Sequence, residues 1–163
     1  MFQANLSRVA CLRIPHFPIA VLERNGRLQG GASCVLTQGE GQHARVVAQS
    51  LSAHALGIRA GMHLSRAMAL VHNLQIIPAS QVPVVEVESR LSRELNQLSP
   101  RVSIAETGCF WLEPFYSPGG GEHDFAEQLL ELLRAEGFND GRIGIADTVV
   151  ASFAASMTVE ANG

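Results

Sequence analysis

The sequence predicts a domain of the α/β class, in which short strands alternate with amphipathic helices. Residues 8–14 (RVACLRI) have the composition of a buried strand, because apolar and β-forming residues dominate the run. One long segment carries an apolar residue every three or four positions, the period of one helix face: Val84, Val87, Leu91, Leu95 and Leu98. Residues 142–146 (RIGIA) indicate another strand, and a helix of small residues follows it.

The length and composition indicate a globular chain of one domain or two small lobes. The chain has 163 residues, of which 47% are apolar and 17% charged, proportions typical of folded proteins. Its formal net charge is −3, and all 12 basic residues are arginine. A domain that binds nucleic acid through charge alone is usually basic, so we expect weak DNA affinity at most.

The cysteines and the apolar runs indicate the cellular compartment. Cys11, Cys34 and Cys109 are far apart and form no CxxC pair, which excludes a disulfide scaffold and a Cys-rich zinc module and favours a reducing compartment. No apolar run reaches the ~18 residues of a membrane-spanning helix, and the N-terminus does not resemble a secretion signal. We therefore expect a cytoplasmic protein without membrane contact.

The first half of the chain is expected to form a compact, mainly helical lobe after the first strand. The predicted elements are a helix at 17–24 with Pro18 in its first turn, a strand at 27–36, a helix at 44–57, a helix at 64–71 and a strand at 74–77.

The second half continues the alternation of strands and helices. Ser80 is a suitable N-cap for the long helix, and Pro83 lies in its first turn. Residues 102–104 and 109–112 flank Thr107-Gly108 and indicate a strand pair or a bulged strand. A helix at 122–136, the strand at 142–146 and a final helix capped by Asp147 complete the order.

Three local patterns resemble segments of Y-family (DinB-like) translesion DNA polymerases and occur in the same order. Residues 57–62 (GIRAGM) resemble the family's "GVRAGM"-type turn between two finger helices. Residues 98–113 (LSPRV…WLE) are similar to "SPRVE…SIDEAFLD", and residues 144–163 are similar to "GIA…K(P)NG" at the end of the palm. The resemblance spans essentially the whole chain, and three patterns at compatible spacing make it specific.

The resemblance implies a ferredoxin-like α/β palm with a small inserted helical fingers lobe. The palm would comprise residues 1–16 and 80–163, and the fingers would comprise residues 17–79. The thumb and little-finger domains of the family do not fit in this length, so we expect the chain to lack them.

The catalytic positions of the family carry other residues in this sequence. Y-family polymerases hold two Mg²⁺ ions with carboxylates, one at the end of the first strand and two in the "SIDEAFLD" segment. The resemblance places Arg13 at the first position and Gly108 and Cys109 at the other two. A guanidinium, a glycine and a thiol thus replace three oxygen ligands, and we expect no metal cofactor.

The positions that contact the incoming nucleotide in the family are also altered. The Tyr and Arg that hold the triphosphate align with Leu51 and His54, and the Lys near the end of the palm aligns with Glu160. The bulky residue that excludes ribonucleotides aligns with Pro18. We therefore expect no tight nucleotide binding.

The loss of these residues within a retained frame resembles the catalytically inactive, ImuB-like branch of the family. That resemblance implies a non-catalytic scaffold in SOS-induced mutagenesis and DNA damage tolerance. The implied partners are the sliding clamp, an error-prone replicative-type polymerase and a RecA-like accessory protein, and self-association through the freed surfaces is a further expectation. Arg59 and Arg66 are candidates for weak contacts with DNA or a partner.

Two other interpretations stay open at the level of sequence. In an active polymerase fragment with relocated ligands, Glu106 and Glu113 would be the candidate carboxylates, although solvated positions at a strand edge explain them as well. An unrelated ferredoxin-like regulatory module would place a small-molecule pocket between its sheet and its helices. Cys109 is either a nucleophile or, as we favour, a buried and inert thiol.

Overall fold

The computed structural model describes residues 8–158, which divide into two compact units. Residues 16–84 form one unit, here called the inserted unit. The chain before and after it, residues 8–15 and 85–158 of the described part, forms the discontinuous unit. The sequence analysis put these boundaries at 16/17 and 79/80. Its assignment of the units as palm and fingers stays a prediction.

The described chain contains seven strands and six α-helices, which are named in chain order. They are β1 (Val9–Arg13), α1 (Phe17–Arg24), β2 (Cys34–Gln38), β3 (Arg45–Gln49), α2 (Leu51–Ala55), α3 (Leu64–Leu70), β4 (Gln75–Pro78), α4 (Val84–Leu95), β5 (Val102–Glu106), β6 (Cys109–Leu112), α5 (Glu122–Ala135), β7 (Arg142–Ala146) and α6 (Val149–Thr158). Short 3₁₀ turns lie at Gly41–His43 and Ala79–Gln81.

The discontinuous unit has the ferredoxin-like topology. Its sheet has the strand order β5-β6-β1-β7, and every neighbouring pair is antiparallel. Helix α4 lies between β1 and β5 in the chain order of this unit, and α5 lies between β6 and β7, which gives the β-α-β-β-α-β arrangement. The predicted α/β class with a ferredoxin-like sheet is therefore confirmed.

The two faces of this sheet are covered differently. Ala10 and Leu12 of β1 point to one face and are fully buried. The buried sides of α4 and α5 supply the apolar residues of the unit's core: Leu91, Leu95, Phe125, Leu129 and Leu133. Helix α6 packs against β7 and β1.

Glycine at position 144 allows α6 to approach the sheet closely. A Cβ atom on Gly144 would lie 2.2 Å from the Ser152 carbonyl oxygen and 2.5 Å from the Ser156 amide nitrogen. Both serines are fully buried. The backbone of the helix thus rests directly on the backbone of the strand, on the face to which Cys11 points, since the Ser156 hydroxyl contacts the Cys11 sulfur at 3.7 Å.

The inserted unit combines three helices with a three-stranded sheet. The strand order is β3-β2-β4, with β2 and β3 antiparallel and β2 and β4 parallel. A small apolar core joins the sheet to the helices and consists of Val35, Val46, Ala53, Ile58, Ala67 and Val71.

Four predictions about individual elements are wrong. The strand predicted over residues 27–36 is β2, which begins only at Cys34. Ser80 does not cap the long helix, because it lies in the 3₁₀ turn Ala79–Gln81 and α4 begins at Val84, after Pro83.

The other two wrong predictions concern α2 and α6. The helix predicted over residues 44–57 is β3 followed by the short helix α2. In β3, Val46 is buried and its neighbour Val47 is exposed, the alternation of a strand, and Ser50 begins α2 by accepting a hydrogen bond from the Ala53 amide at 3.3 Å. Asp147 does not cap α6: it pairs with Arg8 at 3.0 Å, and Thr148 accepts the capping bond instead.

Within residues 8–158, no helix combines the length and the apolar character that crossing a membrane requires.

Candidate functional site

Three positions that are distant in the sequence meet at one end of the sheet of the discontinuous unit. Arg13 is the last residue of β1, and it lies directly opposite Cys109, the first residue of β6. The next residue of the chain, Ile14, donates its amide to the Gly108 carbonyl oxygen at 2.8 Å. The structure therefore brings together Arg13, Gly108 and Cys109, the residues that the resemblance assigns to degenerate catalytic positions.

Gly108 lies in the tight turn between β5 and β6 and adopts a left-handed backbone conformation, with φ of +74°. Its amide donates a 2.8 Å hydrogen bond to the side chain of Glu88, whose exposed fraction is only 9%. A buried carboxylate on α4 thus holds the turn in place. Because an L-residue at this φ is strained, the backbone here favours glycine over the aspartate of the family motif.

Cys109 has a second thiol as its neighbour. The sulfur atoms of Cys109 and Cys11 lie 3.5 Å apart, and both side chains are fully buried. The hydrogen bond shared with Cys11, together with burial, raises the pKa of Cys109 above its usual range. The same bond lowers the pKa of Cys11 to about 7. Cys11 therefore loses its proton first, and the pair then holds the proton of Cys109 more tightly.

The two carboxylates considered for a relocated metal site do not come together. Glu106 lies opposite Cys109 at the turn of the hairpin and is exposed. Glu113 follows β6 at the other end, about 13 Å further along at about 3.3 Å per residue. It lies 3.6 Å from the guanidinium of Arg101. The geometry does not support a metal site shared by Glu106 and Glu113.

The positions aligned with nucleotide contacts lie in the inserted unit, except for Glu160, which is outside the described residues. Leu51 begins α2 and has an exposed fraction of 68%. His54, on the same helix, lies with its Nδ1 atom 3.3 Å from the Gln49 side-chain amide. Pro18 lies in the first turn of α1 and is half-buried.

The two arginines predicted to contact DNA or a partner differ in their surroundings. Arg59 donates from Nη1 to the His54 carbonyl at 2.6 Å and to its neighbour's carbonyl, that of Ile58, at 2.8 Å. Its guanidinium therefore stabilises the end of α2. Arg66 lies on the exposed surface of α3. Of the two, Arg66 has the side chain that is better placed for an external contact.

A cavity of about 640 Å³ opens beside β5 and β6. Its lining includes Trp111, Ser103 and Val149, together with the charged residues Arg8 and Glu113. Trp111 and Ser103 are cross-strand neighbours, so they share one face of the sheet. Trp111 also lies opposite Cys11 of β1, the other strand next to β6, and Cys11 contacts Ser156 of α6. The cavity therefore lies on the face of the sheet that α6 partly covers. The alternative interpretation as a regulatory module expects its pocket between the sheet and the helices, whereas this cavity lies on a partly open face.

Comparison with known proteins assigns the chain to a family. The profile of the impB/mucB/samB family (IMS) matches residues 1–157. The chain belongs to the impB/mucB/samB family. No curated protein matches it in sequence.

Solved polymerase structures share the fold of this impB/mucB/samB chain. DinB from Sulfolobus solfataricus superposes with a TM-score of 0.80 at 19% identity. The post-insertion binary complex and the insertion ternary complex of Dbh DNA polymerase give TM-scores of 0.82 and 0.79, each at 19% identity. In all three, the match covers 96% of this chain and 47% of the other. The chain thus spans about half the length of these polymerases.

The pair of divalent ions implied by the resemblance to Y-family polymerases does not fit the donors present in this impB/mucB/samB chain. Mg²⁺ binds hard oxygen ligands, whereas the site offers a cationic guanidinium, the backbone of a glycine and a buried thiol. Among residues 8–158, no group of three or more His, Cys, Asp or Glu side chains is placed to hold a metal. The described residues at this position therefore provide no set of oxygen ligands for two metal ions.

Four residues that shape the site in this impB/mucB/samB chain were not predicted from the sequence. Cys11, Ser156 and Arg142 meet Cys109 or Arg13 through the sheet register and α6, and no local pattern indicates these contacts. Glu88 did leave a signal. It lies four residues after Val84 and three before Leu91, so it occupies the apolar side of the predicted helix, where a carboxylate needs a partner.

Proposed function

We propose that the chain is the palm-and-fingers part of a non-catalytic, ImuB-like member of its family that serves as a scaffold for translesion DNA synthesis in the cytoplasm. The observation that carries the proposal is the convergence of Arg13, Gly108 and Cys109 at one end of the sheet. These positions correspond to the carboxylates of active Y-family enzymes by resemblance. They meet as expected for such a site, but they present no carboxylate.

Electrostatics and packing both support this loss of catalysis. The guanidinium of Arg13 repels a divalent cation at the place where one would bind. Cys109 is fully buried against Cys11, so its sulfur is not available to solvent. At position 51, the resemblance places a tyrosine that contacts a triphosphate. This chain has an exposed leucine there, which presents an apolar surface in place of a ligand contact.

The proposed partners are those of the ImuB-like branch: the sliding clamp, an error-prone replicative-type polymerase and a RecA-like accessory protein. The role would be to hold these proteins at damaged DNA, with weak DNA binding by the chain. The structural neighbours include binary and ternary complexes of Dbh DNA polymerase, which supports a DNA-facing surface for this fold. An active fragment with relocated ligands remains the competing proposal, and the first experiment separates the two.

Titration of the chain with Mg²⁺ or Mn²⁺ in the presence of a deoxynucleoside triphosphate is expected to give no heat of metal binding beyond the heat that the metal and the nucleotide release without the protein. The reason is that no described set of oxygen donors surrounds Arg13. A primer-extension assay with the same protein is expected to show no incorporation. Extension that a chelator abolishes, or a stoichiometric metal-binding isotherm, would contradict the scaffold proposal and favour the active fragment.

A capture assay tests the positive side of the proposal. Immobilised chain is expected to retain at least one of the three proposed partners, each supplied in purified form. If the apolar surface at α2 is a docking surface, Leu51→Glu reduces this retention about tenfold, as expected when a central interface side chain is lost. Val150→Glu is the matched control, because Val150 is equally apolar and 79% exposed but belongs to the other unit. Retention of none of the three partners would count against the scaffold role.

A further inference from the structure

Two arginines lie directly opposite each other on neighbouring strands at the candidate site. Arg13 of β1 pairs in register with Arg142 of β7. Residues in register leave the same face of a sheet. That face is the one covered by α6, because Cys11 and Gly144, two positions away on the same two strands, both contact Ser156 of α6.

Within the part of the chain that the structure describes, neither guanidinium has an acidic partner. Among residues 8–158, no Asp or Glu carboxylate lies within ion-pair distance of Arg13 or Arg142. Arg13 donates one bond, from Nη2 to the Ser156 carbonyl at 3.5 Å. The Nε atoms of both arginines are buried and find no acceptor in the described part of the chain.

This arrangement is unfavourable for the protein alone. Like charges directly opposite each other in an antiparallel pair destabilise the sheet, and a buried donor without an acceptor adds to the cost. Both side chains are partly exposed, so solvent reaches the site from one side. Glu106 of β5 lies opposite Cys109 of β6, so one strand separates it from Arg13 in the sheet.

Two guanidinium groups side by side have the donor pattern that a phosphate group accepts. Each guanidinium presents a planar fork of N–H donors that matches two oxygens of a phosphate, and this pairing is stronger than a hydrogen bond between neutral groups. Cβ atoms of directly opposite residues are about 4.5–5.5 Å apart, so both forks can reach one tetrahedral anion.

We propose that Arg13 and Arg142 together bind a phosphate group without a divalent metal ion. The site lies where the resemblance would place the metal ions, but positive charge is supplied here by two side chains. The ligand is a phosphate of a free nucleotide or pyrophosphate, or a phosphodiester of a nucleic-acid backbone. This binding activity goes beyond the scaffold role and does not require any of the proposed protein partners.

The test measures binding of two probes to the whole chain in the presence of EDTA: pyrophosphate by calorimetry, and a fluorescein-labelled single-stranded oligonucleotide by anisotropy. Arg142→Gln and Arg13→Gln are each expected to weaken binding about tenfold, the effect of one lost charge-assisted contact. Arg101→Gln is the matched control, because Arg101 lies in the same unit, is 86% exposed and pairs with Glu113. It should leave pyrophosphate binding unchanged.

The two probes distinguish the sources of the phosphate. If the variants lose affinity for pyrophosphate only, the ligand is a free phosphate compound. If they lose affinity for both probes, and the salt dependence of oligonucleotide binding falls by about one counterion, the ligand is a backbone phosphate. Arg142→Gln removes no side-chain hydrogen bond within the described protein and separates two like charges, so it should keep or slightly raise the melting temperature, and weaker binding by this variant would not come from a loss of folding. Unchanged affinity in Arg142→Gln, the absence of binding to either probe at millimolar concentration, or equal binding of a polyglutamate peptide would overturn the proposal. Binding that appears only with Mg²⁺ would overturn the scaffold proposal as well.

Discussion

Gly144→Ala is expected to lower the free energy of unfolding by about 3 kcal/mol, near the upper end of the effects seen for overpacked interiors. The new methyl group would lie 2.2 Å from the Ser152 carbonyl oxygen, 2.5 Å from the Ser156 amide and 2.8 Å from the Ala155 Cβ atom. Two of these three atoms belong to the backbone of α6, so a change of side-chain rotamer cannot relieve the clash. The helix must move away from β7 instead.

Urea denaturation followed by circular dichroism measures this effect. For a chain of this size, a loss of about 3 kcal/mol lowers the melting temperature by roughly 6–12 °C. Gly30→Ala is the matched control, because its Cβ would meet no atom within 4 Å and its backbone is not left-handed. That variant should be unchanged or slightly more stable. Equal stability of the two variants would show that α6 does not contact the strand as closely as described.

Cys109→Glu, which supplies the carboxylate of the Y-family motif at its aligned position, is expected to cost at least about 3 kcal/mol of stability and to create no metal site. The position is fully buried, and the Cys11 sulfur lies 3.5 Å away, so a longer side chain overpacks the site. Its charge would also lose hydration, which the nearby guanidinium of Arg13 offsets only in part. This result would show that core packing occupies the position that the resemblance aligns with a carboxylate.

Ser103→Glu is the appropriate control for this variant. Ser103 is exposed on β5 of the same sheet, so the added carboxylate stays hydrated and stability should change by no more than about 0.5 kcal/mol. Thermal unfolding with and without Mg²⁺ measures both effects in one experiment. If Cys109→Glu is as stable as Ser103→Glu and Mg²⁺ raises its melting temperature, the site has kept room for a catalytic carboxylate.

Backbone pairing at the end of β1 explains how the family fold is compatible with Arg13, Gly108 and Cys109 at this site. Strand register and the Gly108 turn are fixed by backbone hydrogen bonds, which tolerate many side chains. The same backbone frame can therefore carry side chains other than carboxylates. At this end of the sheet, Cys11 and Cys109 form a buried thiol pair, and the buried side chain of Glu88 accepts a hydrogen bond from the Gly108 amide. Both interactions stabilise the structure without a metal ion.

Local patterns in the sequence were sufficient for much of this protein. The 3.6-residue period predicted α4 and α5, and the apolar run at residues 8–14 predicted β1, because both signals arise within one segment and reflect burial on one face. The order of these segments gave the α/β class. A local pattern also misled: the small residues after Val47 favoured a continuous helix, whereas pairing with β2 extended the chain at β3.

The contacts that define the site were decided by the tertiary structure. Arg13 meets Cys109 and Arg142 across almost one hundred residues or more, because strand register places them opposite each other, and register depends on distant partners. The thiol pair and the approach of α6 at Gly144 arise in the same way. The sequence by itself determined which residues stand at the positions that the resemblance aligns with carboxylates, since identity is local. Only folding determined that Arg13 and Arg142 would face each other without an acidic partner among residues 8–158, since charge complementarity is a property of neighbours in space.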